Sequence, residues 1–272
     1  MPLSSIIATQ ALWASRRWPA HTGRRAPALE ANLILPMASE VRRQFAAGGG
    51  SELPMDGKPG KMTSLRSSSA LAYNFFAPWL RAADLGPLAQ ALDVALVDST
   101  VTFERKFPHG LPSEPPNLDV ALDNDQARPL AIECKFTEPY GNKGSHPPLS
   151  DKYFADGRKR WADVGLQKCQ PLAEAIGRDV SFVRLGAGQL LKHLLGLAFT
   201  TKAPPRLLCL WYDSRCEEAA QHAEELGRFR GLIDGDVDFR ITTYQWAFER
   251  LERSSEPVPG YVDYLADRYF AV

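Results

Sequence analysis

Three residues of this chain have the types and spacing to do chemistry together. Asp119 lies in PNLDVAL (116–122), and Glu133 and Lys135 lie in PLAIECKFTE (129–138). Both segments are short and apolar, and strand side chains alternate faces with period two. Leu118, Val120 and Leu122 then share one face, with Asn117 and Asp119 on the other. Ile132, Cys134 and Phe136 point one way, and Glu133 and Lys135 the other. Asp123 to Arg128 is turn-rich, which predicts an antiparallel hairpin. In register, two carboxylates and one ammonium converge on one face. Two carboxylates can hold a hard divalent cation, with the lysine beside them.

Glu-x-Lys alone is better explained as a solvated, salt-bridged strand face, and the chain has another copy in Glu104-Arg105-Lys106. Three features set the Glu133 copy apart. An Asp lies fourteen residues upstream, the opposite face of both segments is apolar, and the charges fall in mid-strand.

This arrangement resembles the PD-(D/E)xK nuclease superfamily, with its restriction-endonuclease-like fold. Asp119 matches the motif Asp, Glu133 the acidic position and Lys135 the lysine; Leu118 stands where the motif has Pro. KMTSLRSSSALAYNFFAPW (61–79), NLDVAL, IECKFTEPYG and QLLKHLLGL (189–197) are similar to a set of bacterial proteins of that fold. The resemblance covers about residues 38 to 270. It implies an α/β domain with a central mixed β-sheet flanked by helices. It also implies metal-dependent hydrolysis of DNA phosphodiesters, by an endonuclease with a restriction or defence role.

Such hydrolysis needs an in-line water and neutralisation of developing charge, both of which a divalent metal provides. The expected cofactor is Mg²⁺, with Mn²⁺ as substitute. Asp119, Glu133 and the carbonyl of Cys134 are the candidate ligands. Lys135 would orient water or stabilise phosphoryl charge, and desolvation beside a metal could lower it toward a base. Glu104, on the neighbouring strand, could add a carboxylate or form a salt bridge. Gln189 could order the site or cap a helix. His193, four residues on, reads as a core-edge histidine. Lys152, Arg158, Lys159, Arg160 and Lys168 would either grip phosphate or form a solvated helix face. The competing functions are a non-catalytic nucleic-acid-binding module of the same fold and a structural or interaction protein.

Composition narrows the partners. Lys+Arg and Asp+Glu both number 32, so there is no global positive excess of the kind a purely electrostatic DNA binder needs. No apolar run reaches the roughly 18 residues of a membrane span, and the arginine pairs follow the first apolar stretch, unlike a secretory signal. Cys134, Cys169, Cys209 and Cys216 lack metal spacing and read as free thiols of a cytoplasmic protein. DNA is the expected partner, and a homodimer is among the assembly states left open.

The elements that must position these residues follow from periodicity. Residues 1–37 read as a loosely ordered extension, and 38–272 as one nuclease-like domain. Glu40 to Ala47 predicts a helix stopped by Gly48-Gly49-Gly50. Ser67 to Val94 is largely helical, with a serine N-cap and breaks at Pro78 and Pro87. Strands are expected at Phe103–Phe107, Arg206–Tyr212 and Phe239–Tyr244. Helices are expected at Lys152–Ile176, Gln189–Phe199, Ala219–Phe229, Gln245–Leu251 and Tyr261–Tyr269.

Overall fold

The run RLLCLW is apolar on both faces because it lies between two parallel neighbours inside a sheet. A computed structural model describes residues 2–20, 23–96, 98–123, 128–141 and 147–270. The chain runs α1 (Pro2–Arg17), α2 (Ser39–Ala47), α3 (Ser68–Phe76), α4 (Gly86–Leu92), β1 (Thr100–Lys106), β2 (Asn117–Asp123) and β3 (Leu130–Lys135). It continues through α5 (Arg160–Asp163), α6 (Cys169–Ala175), α7 (Ala187–Thr201), β4 (Arg206–Trp211), α8 (Glu217–Leu232), β5 (Asp238–Thr243), α9 (Tyr244–Leu251) and α10 (Tyr261–Leu265). The last helix ends in a π-turn over Ala266–Phe270.

The sheet order is β1-β2-β3-β4-β5. The first two pairings are antiparallel and the last two parallel. Antiparallel neighbours need only a turn, whereas each parallel pair needs a crossover. Helices α5 to α7 supply one crossover and α8 the other. This is the mixed α/β sheet of the restriction-endonuclease-like fold. The predicted β2–β3 hairpin is present, with residues 124–127 of its turn outside the described set.

Helix α3 is buried all round from Ser69 to Phe76 and packs on β2 and β3. The Ser67 hydroxyl accepts the Ala70 N–H at 3.1 Å, as an N-cap should. Pro78 falls in a 3₁₀ turn that ends the helix, but Pro87 starts α4, where a missing N–H costs nothing. At the β1 edge, Gln44 of α2 accepts the Phe103 N–H at 3.0 Å.

Two expectations need correction. The helix expected over Lys152–Ile176 is two 3₁₀ turns followed by α5 and α6. Asp156, Gly157 and Gly165 adopt positive φ there, which a right-handed helix cannot accommodate. Residues before 38 are also not a loose extension. Ile6 and Trp13 of α1 are buried, and Gln10 donates to the Arg268 carbonyl at 2.7 Å. The Arg268 guanidinium, fully buried, stacks 4.3 Å from the Trp13 ring and donates to Asn32 Oδ1 at 2.6 Å. Asn74, in the SSSALAYN segment, completes this tie by accepting the Ile34 N–H at 2.8 Å and donating to the Tyr269 hydroxyl at 2.9 Å. Its role is packing.

The four cysteines are unpaired. Among the described residues no helix is long and apolar enough to cross a membrane.

Candidate active site

The ladders that join β1, β2 and β3 share one gap. Phe103 pairs with Val120, and Val120 with Ile132. The next position along that register holds Glu104, Asp119 and Glu133, one on each strand, and none of them forms a ladder pair across these three strands. Glu104 leaves the ladder because its backbone is left-handed, at φ 49°, a conformation that costs a non-glycine residue about 1–3 kcal/mol. Between β2 and β3 the ladder has ended, and Asp119 Oδ2 accepts the Cys134 N–H at 2.7 Å in its place. A row of three carboxylates thus crosses the sheet where the strands separate.

Glu133 is inaccessible at 1% side-chain exposure, while Lys135 keeps 16%. Lys135 Nζ donates to Glu133 Oε1 and approaches Gln189 Oε1 at 3.4 Å. His193 Nε2 lies 3.1 Å from Glu133 Oε2, at ion-pair distance but without hydrogen-bond geometry. Gln189 and His193 are one turn apart on α7, so one helix face meets both ends of the Glu-x-Lys pair. Glu225 of α8 fixes where α7 begins. Its carboxylate accepts the N–H groups of Val183, Arg184 and Leu185, each at 2.8 Å.

Electrostatics sort the row. Burial pushes Asp119 well above the usual carboxylate range, and the neighbouring Glu133 charge adds to it. Burial would also raise Glu133, but Lys135 and His193 together outweigh it and hold Glu133 down to about 2. Burial, then the charge of Glu52, raises Glu104 to about 7. Burial alone would lower Lys135, yet Glu133 and Asp119 raise it above its ordinary value. Without metal, Lys135 is thus held as an ammonium; the lowering expected beside a metal concerns the loaded site.

The structure therefore brings together Asp119, Glu133, Lys135, Glu104 and Gln189, with Cys134 as the backbone partner of Asp119. His193, expected at the core edge, belongs to the site. Glu138 is a turn residue that accepts the Phe136 N–H at 2.8 Å. The expected basic face is dispersed: Arg158 and Lys159 line a hollow with Glu174, away from Lys135. Only Lys152 of that set lines the 400 Å³ cleft into which Lys135 opens. A larger hollow of 580 Å³, lined by Arg25 and Lys58, contains none of the motif residues.

Two residues escaped the sequence reading. Glu52 is buried near Glu104, but it comes from a Pro/Gly-rich linker with no periodic signal. Lys192 lines the cleft and was hidden inside the apolar QLLKHLLGL.

Among the described residues no three His, Cys, Asp or Glu side chains gather closely enough to hold a metal by themselves. The donors at the row are oxygens, and a transition-metal cage of imidazole and thiolate is absent among the described residues. Mg²⁺ needs only one or two carboxylates, completing its shell with water and substrate phosphate. A buried row of carboxylates, one raised by burial and by the charge of its neighbours, fits such a cation.

Nothing among the curated proteins or the solved structures matches the chain. Residues 8–270 match the family described as restriction endonuclease associating with ARP, and the chain belongs to that family.

Proposed function

We propose that this protein is a Mg²⁺-dependent endodeoxyribonuclease, with Mn²⁺ able to substitute. The observation that carries the reading is the Asp119–Glu133 pair, one residue on each of two diverging strands, with Lys135 beside it at the mouth of a cleft. Membership in a restriction-endonuclease family supports DNA as the substrate.

Asp119, Glu133 and the Cys134 carbonyl would hold the cation, with water and substrate phosphate completing its shell; Glu104 stands further along the row as a neighbouring negative charge. When bound, the metal would activate water and neutralise phosphoryl charge. Lys135, as an ammonium, stabilises charge on the phosphoryl oxygens. Gln189 restrains the Lys135 amine, and His193 restrains Glu133 from the opposite side. Glu133 sits under both, so opening the Lys135–Glu133 contact frees the carboxylate and the ammonium for their separate tasks.

The test is incubation of the purified chain with supercoiled, linear and single-stranded DNA, with and without Mg²⁺. Metal-dependent conversion of supercoiled DNA to linear is expected. Binding without cleavage under every condition would instead assign a non-catalytic module.

A further inference from the structure

We infer that the cleft beside Lys135 holds a backbone phosphate of the substrate strand adjacent to the one cleaved, clamped between Lys152 and Lys192. This rests on the nuclease reading and names where that substrate is gripped. The 400 Å³ cleft is lined by Lys135, Gln189, Lys192, Lys152 and Tyr153, and by Arg184, whose guanidinium is already engaged by Gln221 and the Gly141 carbonyl. The two clamp lysines come from separate elements, Lys192 from α7 and Lys152 from the 3₁₀ turn Asp151–Tyr153.

Neither lysine has a carboxylate within ion-pair distance among the described residues. Among the described residues Lys152 Nζ meets the Ser113 hydroxyl at 3.1 Å and the face of the Tyr153 ring at 5.4 Å. Among the described residues Glu138 is the one acid on the cleft wall, and it accepts the Phe136 N–H. Lys192 is half-buried, and its amine is held below the ordinary range by burial first and by the charge of Lys152 second. His109 lies under the same group, buried with neither ring nitrogen hydrogen-bonded, its ring edge-on to Tyr153 at 5.9 Å. Two cations lining one part-buried groove repel until an anion joins them.

A phosphodiester suits that place. The groove continues from Lys135, so an anion lodged there belongs to the strand whose neighbouring phosphate meets the carboxylate row. Phosphate contacts position a nucleic acid without reading its sequence, which matches a clamp made only of lysines.

The experiment measures binding of a labelled DNA duplex across a salt series, with Ca²⁺ in place of Mg²⁺ to suppress cleavage. The chains compared are wild type, Lys152→Ala/Lys192→Ala, Lys152→Arg/Lys192→Arg and Lys159→Ala. Losing one phosphate contact should weaken binding about equally on unrelated sequences and lower the log–log salt slope by about 1. The double alanine variant should show both effects, the arginine pair should restore them, and Lys159→Ala should show neither. A double alanine variant with wild-type affinity and slope would overturn the clamp and leave the nuclease reading standing. So would an equal loss in Lys159→Ala, because that would be bulk charge. If the wild-type chain binds no duplex at all, the nuclease reading falls, and the clamp with it.

Discussion

His193 Nε2 and Glu133 Oε2 stand 3.1 Å apart in a place where both side chains are shut off from water. With Lys135 on its other oxygen, Glu133 is held from two elements, its own strand and α7. An acidic side chain so deeply placed is tolerated only while both neighbours remain.

His193→Ala should therefore cost about 1–3 kcal/mol of stability, the penalty of stripping a partner from a buried charged group. Thermal unfolding measures it. His193→Gln keeps a donor and should recover part of the loss. An alanine variant as stable as wild type would mean that the contact does not hold Glu133.

Lys135→Ala should lower cleavage by roughly 10²–10³ while DNA affinity changes little, because the ammonium acts mainly on charge that develops in the transition state. The variant should also be less stable by about 3 kcal/mol, since a buried carboxylate loses its main cation. Single-turnover cleavage, binding and unfolding on one preparation separate the three effects. Wild-type cleavage would move attention to Lys106 on β1.

Asp119→Asn should behave in the opposite way. It keeps an oxygen for the Cys134 N–H but removes a charge that burial and Glu133 both disfavour. The metal-free variant should melt higher than wild type, and calorimetric titration should show weaker Mn²⁺ binding. Chelator should abolish cleavage by wild type; full activity in excess EDTA would rule out the proposed chemistry.

The carboxylate row should also give the metal-free protein an unusual pH profile. Glu104 is raised from 4.5 to about 7, so the folded state keeps a proton that the unfolded state gives up. That favours folding below pH 4.5 and is lost as pH rises through about 7. Glu133 has the reverse sign: held at about 2, it contributes above pH 4.5 and loses that contribution as pH falls toward 2. Glu104→Gln should flatten the alkaline limb by about 1–3 kcal/mol, because each tenfold change in proton affinity is worth about 1.4 kcal/mol. Denaturant unfolding between about pH 5 and pH 8, the range that brackets the raised Glu104, measures it. An unchanged slope would show that Glu104 ionises freely.

Gly48 offers a purely steric test. A Cβ there would lie 2.6 Å from Glu104 Oε2 and 3.2 Å from the Phe45 carbonyl. Gly48→Ala should push the Glu104 carboxyl from its seat and destabilise the fold by about 1–3 kcal/mol. Thermal unfolding measures it, and the loss should shrink in a Glu104→Ala background, where the struck carboxyl is gone.

The sheet and the motif were legible because period-two alternation and turn residues are local signals. Asp119, Glu133 and Lys135 could be placed on shared faces from spacing alone. The third member of the row, Glu104, was ambiguous because its position depends on a left-handed backbone that no residue type announces. His193 read as core because it sits among leucines; what makes it part of the site is β3 packed against α7, a contact across sixty residues. The N-terminal segment misled because α1 is amphipathic only weakly, and its burial depends on Arg268 at the far end of the chain.

The Glu225 carboxylate that takes three consecutive N–H groups acts as a single fixing bolt. The strip it secures, Val183 to Leu185, leads straight into α7, and Gln189, Lys192 and His193 all ride on that helix. A displacement of α7 would carry all three, as teeth on one gear. A change at Glu225, which touches none of the reacting groups, would retune the ammonium, the carboxylate and the cleft wall in one movement.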